Sequence, residues 1–334
     1  MKVLRKIGAA MGCMLIMVVF IRANGGGTAD YISAIKQEKG MMTQLQESVL
    51  DENKAKLRAA VVAEAESRSI KPIDARIDRV WKAIPGYNGL EVDVDATVEK
   101  TIASGALSPI LYVYKETSPR IKLADLGPLP VYKGNPNKKM VSLMINVAWG
   151  NEYITPILKT LNKEEVKATF FLDGSWLKKY PEIAKQIQAE GHEMSNHAYT
   201  HPKMSELSRN DAYLQISRTE DLLKSTLGVT NKWFAPPSGD FNQMTVQVAA
   251  EQRLRTVLWT IDTVDWTKPG ADWIIRRISS RLEPGALILM HPTASSRDAL
   301  TGMIREIKRQ GYTLGPVSET LSEARIPAAV EPQP

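Results

Sequence analysis

The sequence predicts an α/β fold: a distorted or incomplete (β/α)7-type barrel preceded by a small α/β accessory domain. Three observations carry this reading. From Met140 to Gly315, about seven short apolar runs alternate strictly with helical stretches, the pattern of a parallel sheet with crossover helices. Their number and spacing favour a closed or nearly closed barrel over an open doubly wound sheet. Polar residues capable of chemistry gather where the runs end, at the C-terminal face on which such barrels carry their sites.

The elements follow in chain order. Residues 1–27 open with Lys2, Arg5 and Lys6, continue through an apolar run from Ile7 to Ile21, and close on Arg22-Ala23-Asn24-Gly25-Gly26-Gly27. This is the layout of a signal peptide cleaved near Ala23, or of an N-terminal membrane anchor if it is kept. The positive flank leaves the rest of the chain outside the cytoplasm. The one cysteine, Cys13, lies inside the apolar run, so the exported body has neither thiol nor disulfide. Residues 28–70 read as a helical stalk, with Met41, Met42, Leu45, Val49, Leu50, Leu57, Val61 and Val62 at roughly helical spacing and the methionines as core filler. Residues 71–133 read as the accessory domain. It comprises a helix through Ile73, Ile77, Val80 and Trp81, a turn over 84–89, a strand over Leu90–Val94, a helix over Ala96–Ala103 and a strand over Ile110–Tyr114. Gly127-Pro128-Leu129-Pro130 and Gly134–Lys139 form a linker.

The barrel domain occupies residues 139–322. Strands are expected at Val141–Val147, Ala168–Leu172, Glu193–Asn196, Lys232–Ala235, Thr256–Ile261, Ala286–Met290 and Tyr312–Gly315. The intervening helices are Ile154–Leu161, Leu177–Ala189, Arg209–Leu227, Gln243–Glu251, Ala271–Leu282 and Arg297–Gln310. No Gly-rich phosphate loop follows any strand, which argues against nucleotide binding. Composition is ordinary for a globular protein, with 43% hydrophobic and 24% charged residues. The net charge of +6 suits an anionic wall or membrane surface. No basic helix interleaved with aromatics and no nucleic-acid module is present, so nucleic acid is not an expected partner.

Chemistry concentrates around the histidines. There are four, His192, His197, His201 and His291, and three of them fall within ten residues. His197 and His201, four apart at the end of a strand, can aim two imidazoles at one metal ion. His192 reads as a structural residue. At the other strand ends stand Asn146, the turn Pro236-Pro237-Ser238-Gly239, Asp262, Asp265-Trp266 and His291-Pro292.

On these motifs the region from about 139 to 322 resembles the NodB-type polysaccharide deacetylase domain, carbohydrate esterase family 4. The segment Asn146-Val147-Ala148-Trp149-Gly150-Asn151-Glu152-Tyr153 is further similar to the first motif of its YlxY-like, sporulation-associated subgroup in Bacillus and relatives. The resemblance implies a divalent metal, usually zinc, held by two histidines and an aspartate, which polarises an acetamide carbonyl and a water. It also implies an aspartate base and a histidine that protonates the leaving amine. Residue by residue, His197 and His201 match the metal histidines and His291 the acid. Asp265 and Trp266 match the motif that orients that acid and shapes the sugar pocket, and Pro237 belongs to the substrate-side turn. The base position carries Asn146, which has no usable basicity near neutral pH. The metal aspartate has no counterpart, and Ala235 stands in place of the motif arginine. Glu152, Asp240 and Asp262 are the carboxylates near enough in sequence to substitute.

Two functions follow from the resemblance and its departures. One is an exported, metal-dependent hydrolase that removes N-acetyl groups from cell-wall glycan or a chitin-like oligosaccharide, weakly or not at all. The other is a non-catalytic glycan-binding or scaffold pseudoenzyme at the cell surface or in sporulation. Both place the protein at the cell envelope of a Gram-positive bacterium, secreted or anchored in the membrane through its N-terminal segment. Asn146→Asp alone is expected not to restore hydrolysis, because the third ligand and Ala235 stay unrepaired.

Overall fold

The computed structural model describes residues 28–326, so the expected signal or anchor segment 1–27 lies outside the described residues. The chain divides into two compact units. One holds residues up to Ser67 together with Val92–Tyr114; the other holds Arg68–Glu91 and everything from Lys115 onward. The stretch 71–133, expected as one accessory domain, is therefore shared between the two.

The helix α1 runs over Thr28–Ala65. Its Met41, Met42, Leu45, Val49, Leu50 and Val62 are exposed, so the methionines are not core filler. Among the described residues, no helix is long and apolar enough to cross a membrane. After α1 come β1 (Arg76–Asp78), β2 (Lys82–Ile84), β3 (Gly89–Val92), α2 (Val94–Ala103) and β4 (Tyr114–Thr117). In the first unit, Leu57 and Val61 of α1 pack with Val92 and with Val98 of α2, whose N-terminus is capped by the Asp93 carboxylate.

The helix expected over Ile73–Trp81 is instead the antiparallel pair β1–β2. The physical reason is Asp78: its carboxylate accepts the N–H groups of Val80 and Trp81, both at 2.8 Å, and folds the chain into a tight turn. Ile77 and Val80 then face solvent, so their spacing was not a buried helical stripe.

The second unit carries the barrel. Its elements are β5 (Met140–Val147), α3 (Asn151–Lys163), β6 (Thr169–Leu172), α4 (Gly174–Lys179), α5 (Pro181–Ala189), β7 (Glu193–Asn196), α6 (Arg209–Leu227), β8 (Trp233–Phe234), α7 (Gln243–Glu251), β9 (Arg255–Thr256), β10 (Ile261–Asp262), α8 (Ala271–Ser279), β11 (Leu287–Met290), α9 (Ala294–Arg309), β12 (Thr313–Leu314) and α10 (Val317–Leu321). The strands pair in parallel in the order β10-β11-β5-β6-β7-β8-β9, with β12 on the N-terminal half of β5. No described ladder joins β9 to β10, so the curled sheet is an incomplete barrel, as expected. The single strand expected over 256–261 is two short ones, β9 and β10.

Alternation along β5 divides the core. Val141, Leu143, Ile145 and Val147 face the helices, where they meet Ile154, Leu158, Phe170, Ile288 and Leu300. Met144 faces the hollow of the sheet with Phe171, Ala235, Val257 and Leu287. By the same alternation Asn146 faces the hollow, one step above Met144, at the C-terminal end of the strand.

Candidate active site

The site is built from loops at the C-terminal ends of the strands, and it has two halves. The first is formed by the loops after β10 and β11. Asp265 is fully buried, yet each of its oxygens is used. Oδ1 accepts from Nδ1 of His291 at 2.8 Å, while Oδ2 accepts the backbone N–H of His291 at 2.6 Å and the hydroxyl of Ser296. A carboxylate that only accepts fixes the proton on Nδ1 of His291 and leaves Nε2 as the atom available for acid–base work. Trp149 lies stacked on that imidazole, with ring centroids 6.0 Å apart and planes 10° from parallel, and remains 48% exposed. Gly150 makes this approach possible. It sits at φ +83°, and a Cβ there would stand 2.0 Å from the carbonyl oxygen of Pro292. The turn after β5 is thereby held against the residue that follows His291.

The second half comes from β5, β6 and β7. His197 is buried, and its Nδ1 lies 2.8 Å from the carbonyl oxygen of Ala235. Since a carbonyl accepts only, Nδ1 carries the proton and the Nε2 lone pair is free, the tautomer a metal-binding imidazole needs. Burial, reinforced by the neighbouring His201 and His291, lowers the His197 pKa to about 3, so the ring is neutral. His201 meets it edge-on at 5.1 Å between ring centroids. His201 has φ 54° and Ala198 φ 59°, backbone conformations rare for residues with a side chain; Val264, next to Asp265, has φ 55°.

Asn146 is 3% exposed, and its Oδ1 is buried without a hydrogen-bond partner. Trp266 is 59% exposed on the Asp265 turn, open to a flat ligand. Pro237 is buried and shapes its turn from inside. Ala235 is buried, and what it contributes is the carbonyl that orients His197. The three substitute carboxylates are otherwise engaged or misplaced. Asp240 holds the N–H and hydroxyl of Ser205, both at 2.8 Å; Asp262 holds the N–H of Val264 at 2.7 Å; Glu152 is exposed on α3. His192 lies at the opposite end of β7, accepting the Ala168 N–H through Nδ1.

One residue was missed from the sequence. Asp173 follows β6, is 2% exposed, and caps α4 by accepting the Trp176 N–H at 2.9 Å through Oδ1. Its Oδ2 is buried and has no hydrogen-bond partner. Burial raises the carboxyl pKa against the hydrogen bonds from Ser175 and Trp176 and the field of His201. The only signal in the sequence was positional: Asp173 follows the end of β6 as His197 follows the end of β7. For a zinc or similar ion, His197 and His201 offer two suitable nitrogen donors. Among the described residues, however, no three His, Cys, Asp or Glu side chains stand together as a ligand set.

Residues 133–257 match the family model for polysaccharide deacetylase. The chain is 41% identical to the protein YlxY of Bacillus subtilis over 317 residues, covering 95% of this chain and 97% of that one. It is 35% identical to the peptidoglycan-N-acetylglucosamine deacetylase of Bacillus cereus over 202 residues, 58% of this chain and 74% of the enzyme. Among solved structures, BA3943 of Bacillus anthracis, a carbohydrate esterase family 4 pseudoenzyme, superposes with TM-score 0.74 at 43% identity over 80% of this chain and 96% of its own. A BA3943 mutant with restored enzymatic activity gives the same TM-score, 0.74, at 42% identity over 80% of this chain and 99% of its own.

Proposed function

The chain belongs to the polysaccharide deacetylase family, and from that premise we propose that it is an exported cell-envelope protein that engages N-acetylated wall glycan in a deacetylase-type site whose hydrolysis is weak or absent. The observation that carries the reading is the contrast around Asn146. An intact His291–Asp265 pair, the acid side, faces a base position filled by a buried amide. An amide cannot take a proton from water, so the step that generates the nucleophile lacks its acceptor. Binding does not depend on that step. Trp149 and Trp266 are large exposed rings beside the dyad, suited to stacking on sugar faces. His197 and His201 are the metal-facing pair; when bound, a zinc or other divalent ion supplies polarisation of the acetamide carbonyl and of water.

Relatives support the glycan and the compartment: one is named a peptidoglycan-N-acetylglucosamine deacetylase and another a peptidoglycan-N-acetylmuramic acid deacetylase. The basic, then apolar, N-terminus supports export, with the segment acting as signal peptide or anchor. The likeness to the pseudoenzyme BA3943 supports a role that does not require rapid turnover, which we place at the cell surface or in sporulation.

The test pairs two measurements on purified protein. Calorimetry with N-acetylated chitooligosaccharides and solubilised peptidoglycan fragments is expected to show binding that falls when Trp266 is replaced by Ala. An acetate-release assay on the same glycans is expected to stay near the background of a His291→Ala control. Absence of binding to either glycan overturns the glycan-engaging reading. Acetate release at rates ordinary for an enzyme, lost in His291→Ala, overturns the impaired-site reading.

A further inference from the structure

At the N-terminal ends of β8 and β9, opposite the strand ends that carry the candidate active site, the second unit holds a cavity of about 660 Å³. Ligand sites have volumes of about 300–1,000 Å³ and combine an apolar lining with a few polar groups. Here Leu129, Trp233, Val246, Leu254 and Leu321 supply apolar wall. Lys232, Arg253 and Arg255 supply three positive charges, and Glu323 is the one carboxylate among the lining residues. The Trp233 indole is already engaged, since its Nε1–H donates to the Ser318 hydroxyl at 2.8 Å.

Two features set these cations apart from ordinary surface charge. The first is where the sheet puts Arg255. It pairs with Trp233 across the β8–β9 ladder and stands two residues before Val257, and both of those face the hollow. A guanidinium has five N–H donors, yet the one hydrogen bond from this side chain goes to the Gly127 carbonyl at 3.2 Å. Burial pushes the Arg255 pKa below the usual guanidinium value, against the field of Glu323. The Glu323 carboxylate instead accepts the Leu123 N–H at 3.1 Å. Among the described residues, none of Lys232, Arg253 and Arg255 forms an ion pair. A desolvated charge without a counter-ion is costly, and a bound anion offsets that cost. The second feature is Arg253. It follows Gln252, the C-cap of α7, with φ 63°, the left-handed position that helices commonly give to glycine. A cationic side chain is thus kept where the backbone favours having none.

We infer that this cavity binds an amphiphilic organic anion, a carboxylate or phosphate monoester head on an apolar chain. The head lies against Arg255, with Arg253 and Lys232 beside it, and the chain follows Leu129, Val246 and Leu321. A guanidinium fork matches either head in bidentate fashion, so the two heads share one recognition chemistry. Three cations against one carboxylate exclude a cationic ligand. The cavity lies at the other end of the strands from Asn146 and His291, so its ligand is separate from the glycan.

The experiment titrates full-length protein by calorimetry with octyl phosphate, octanoate, octanol and inorganic phosphate. Wild type is expected to bind one octyl phosphate or one octanoate per chain, at least about tenfold tighter than octanol or inorganic phosphate, and more weakly as salt rises. The ratio of the two anion affinities assigns the head group. Arg255→Met keeps an apolar stem, removes the charge, and is expected to lose at least about tenfold in affinity for both anions. Arg253→Gly removes a charge and the left-handed strain together. It is expected to weaken binding by about threefold while its Tm is no lower than that of wild type. Absence of saturable binding of both anions overturns the proposal, as does equal affinity in Arg255→Met and wild type. Octanol or inorganic phosphate binding as tightly as octyl phosphate overturns it too. Should Arg255→Met fail to fold, Lys232→Gln combined with Arg253→Gly, both at exposed residues, carries the same comparison.

Discussion

The two halves of the site are built to opposite standards. On the His291 side the acid itself is fully held: Asp265 accepts three hydrogen bonds, His291 is fixed at both its ring and its backbone, and Trp149 stacks on the imidazole, while the buried Thr263 hydroxyl of the same loop has no partner. On the His197 side two buried oxygens, Oδ1 of Asn146 and Oδ2 of Asp173, have no partner. A folded protein satisfies nearly all such groups, so each of these oxygens marks a point where the packing leaves a buried polar atom unserved.

Substitutions can break or sharpen this contrast. The sharpest test is Asn146→Asp, which returns a carboxylate to the base position but leaves the third ligand and the Ala235 position unrepaired. Its acetate release is expected to stay at the His291→Ala background, and robust release by this single variant would show that the base alone was lacking. Gly150→Ala places a Cβ against Pro292 at an unfavourable φ and is expected to cost about 2–3 kcal/mol, read as a lower denaturant midpoint. Asp265→Ala strands the donors of His291 and Ser296 and is expected to cost about 2 kcal/mol.

A pH effect should also arise away from the site. His192 has its pKa lowered from 6.5 to about 4, first by burial and then by the charge of Lys167. The native chain therefore binds fewer protons than the unfolded chain between those values. The stability present above pH 6.5 is lost as the pH falls toward about 4, with about 2 kcal/mol gone near pH 5. Thermal unfolding across that window should show a shallower slope in His192→Leu. The smallest effect is the stability of Asp173→Ser, expected within about 0.5 kcal/mol of wild type because the cap survives.

The barrel was legible because its strands are short apolar runs and its helices carry regular apolar spacing; Gln243–Glu251 has the same bounds in sequence and structure. The stretch at 73–81 was not, because four apolar residues fit a helix and a hairpin equally, and the choice turned on one Asp78 carboxylate. His197, His201 and His291 were legible because histidines are few and stand at strand ends. Asp173 was hidden behind its capping role, since Asp-Gly-Ser before an amphipathic run reads as a helix N-terminus and the residue does cap one.

The approach of Gly150 to Pro292 separates what side-chain exchange can alter from what it cannot. It holds the turn after β5 to the turn that follows His291 through backbone, and an exchange at Asn146 leaves that backbone as it stands. The spacing of the two turns is thus a property of the main chain, and the residue at 146 is free to vary within it.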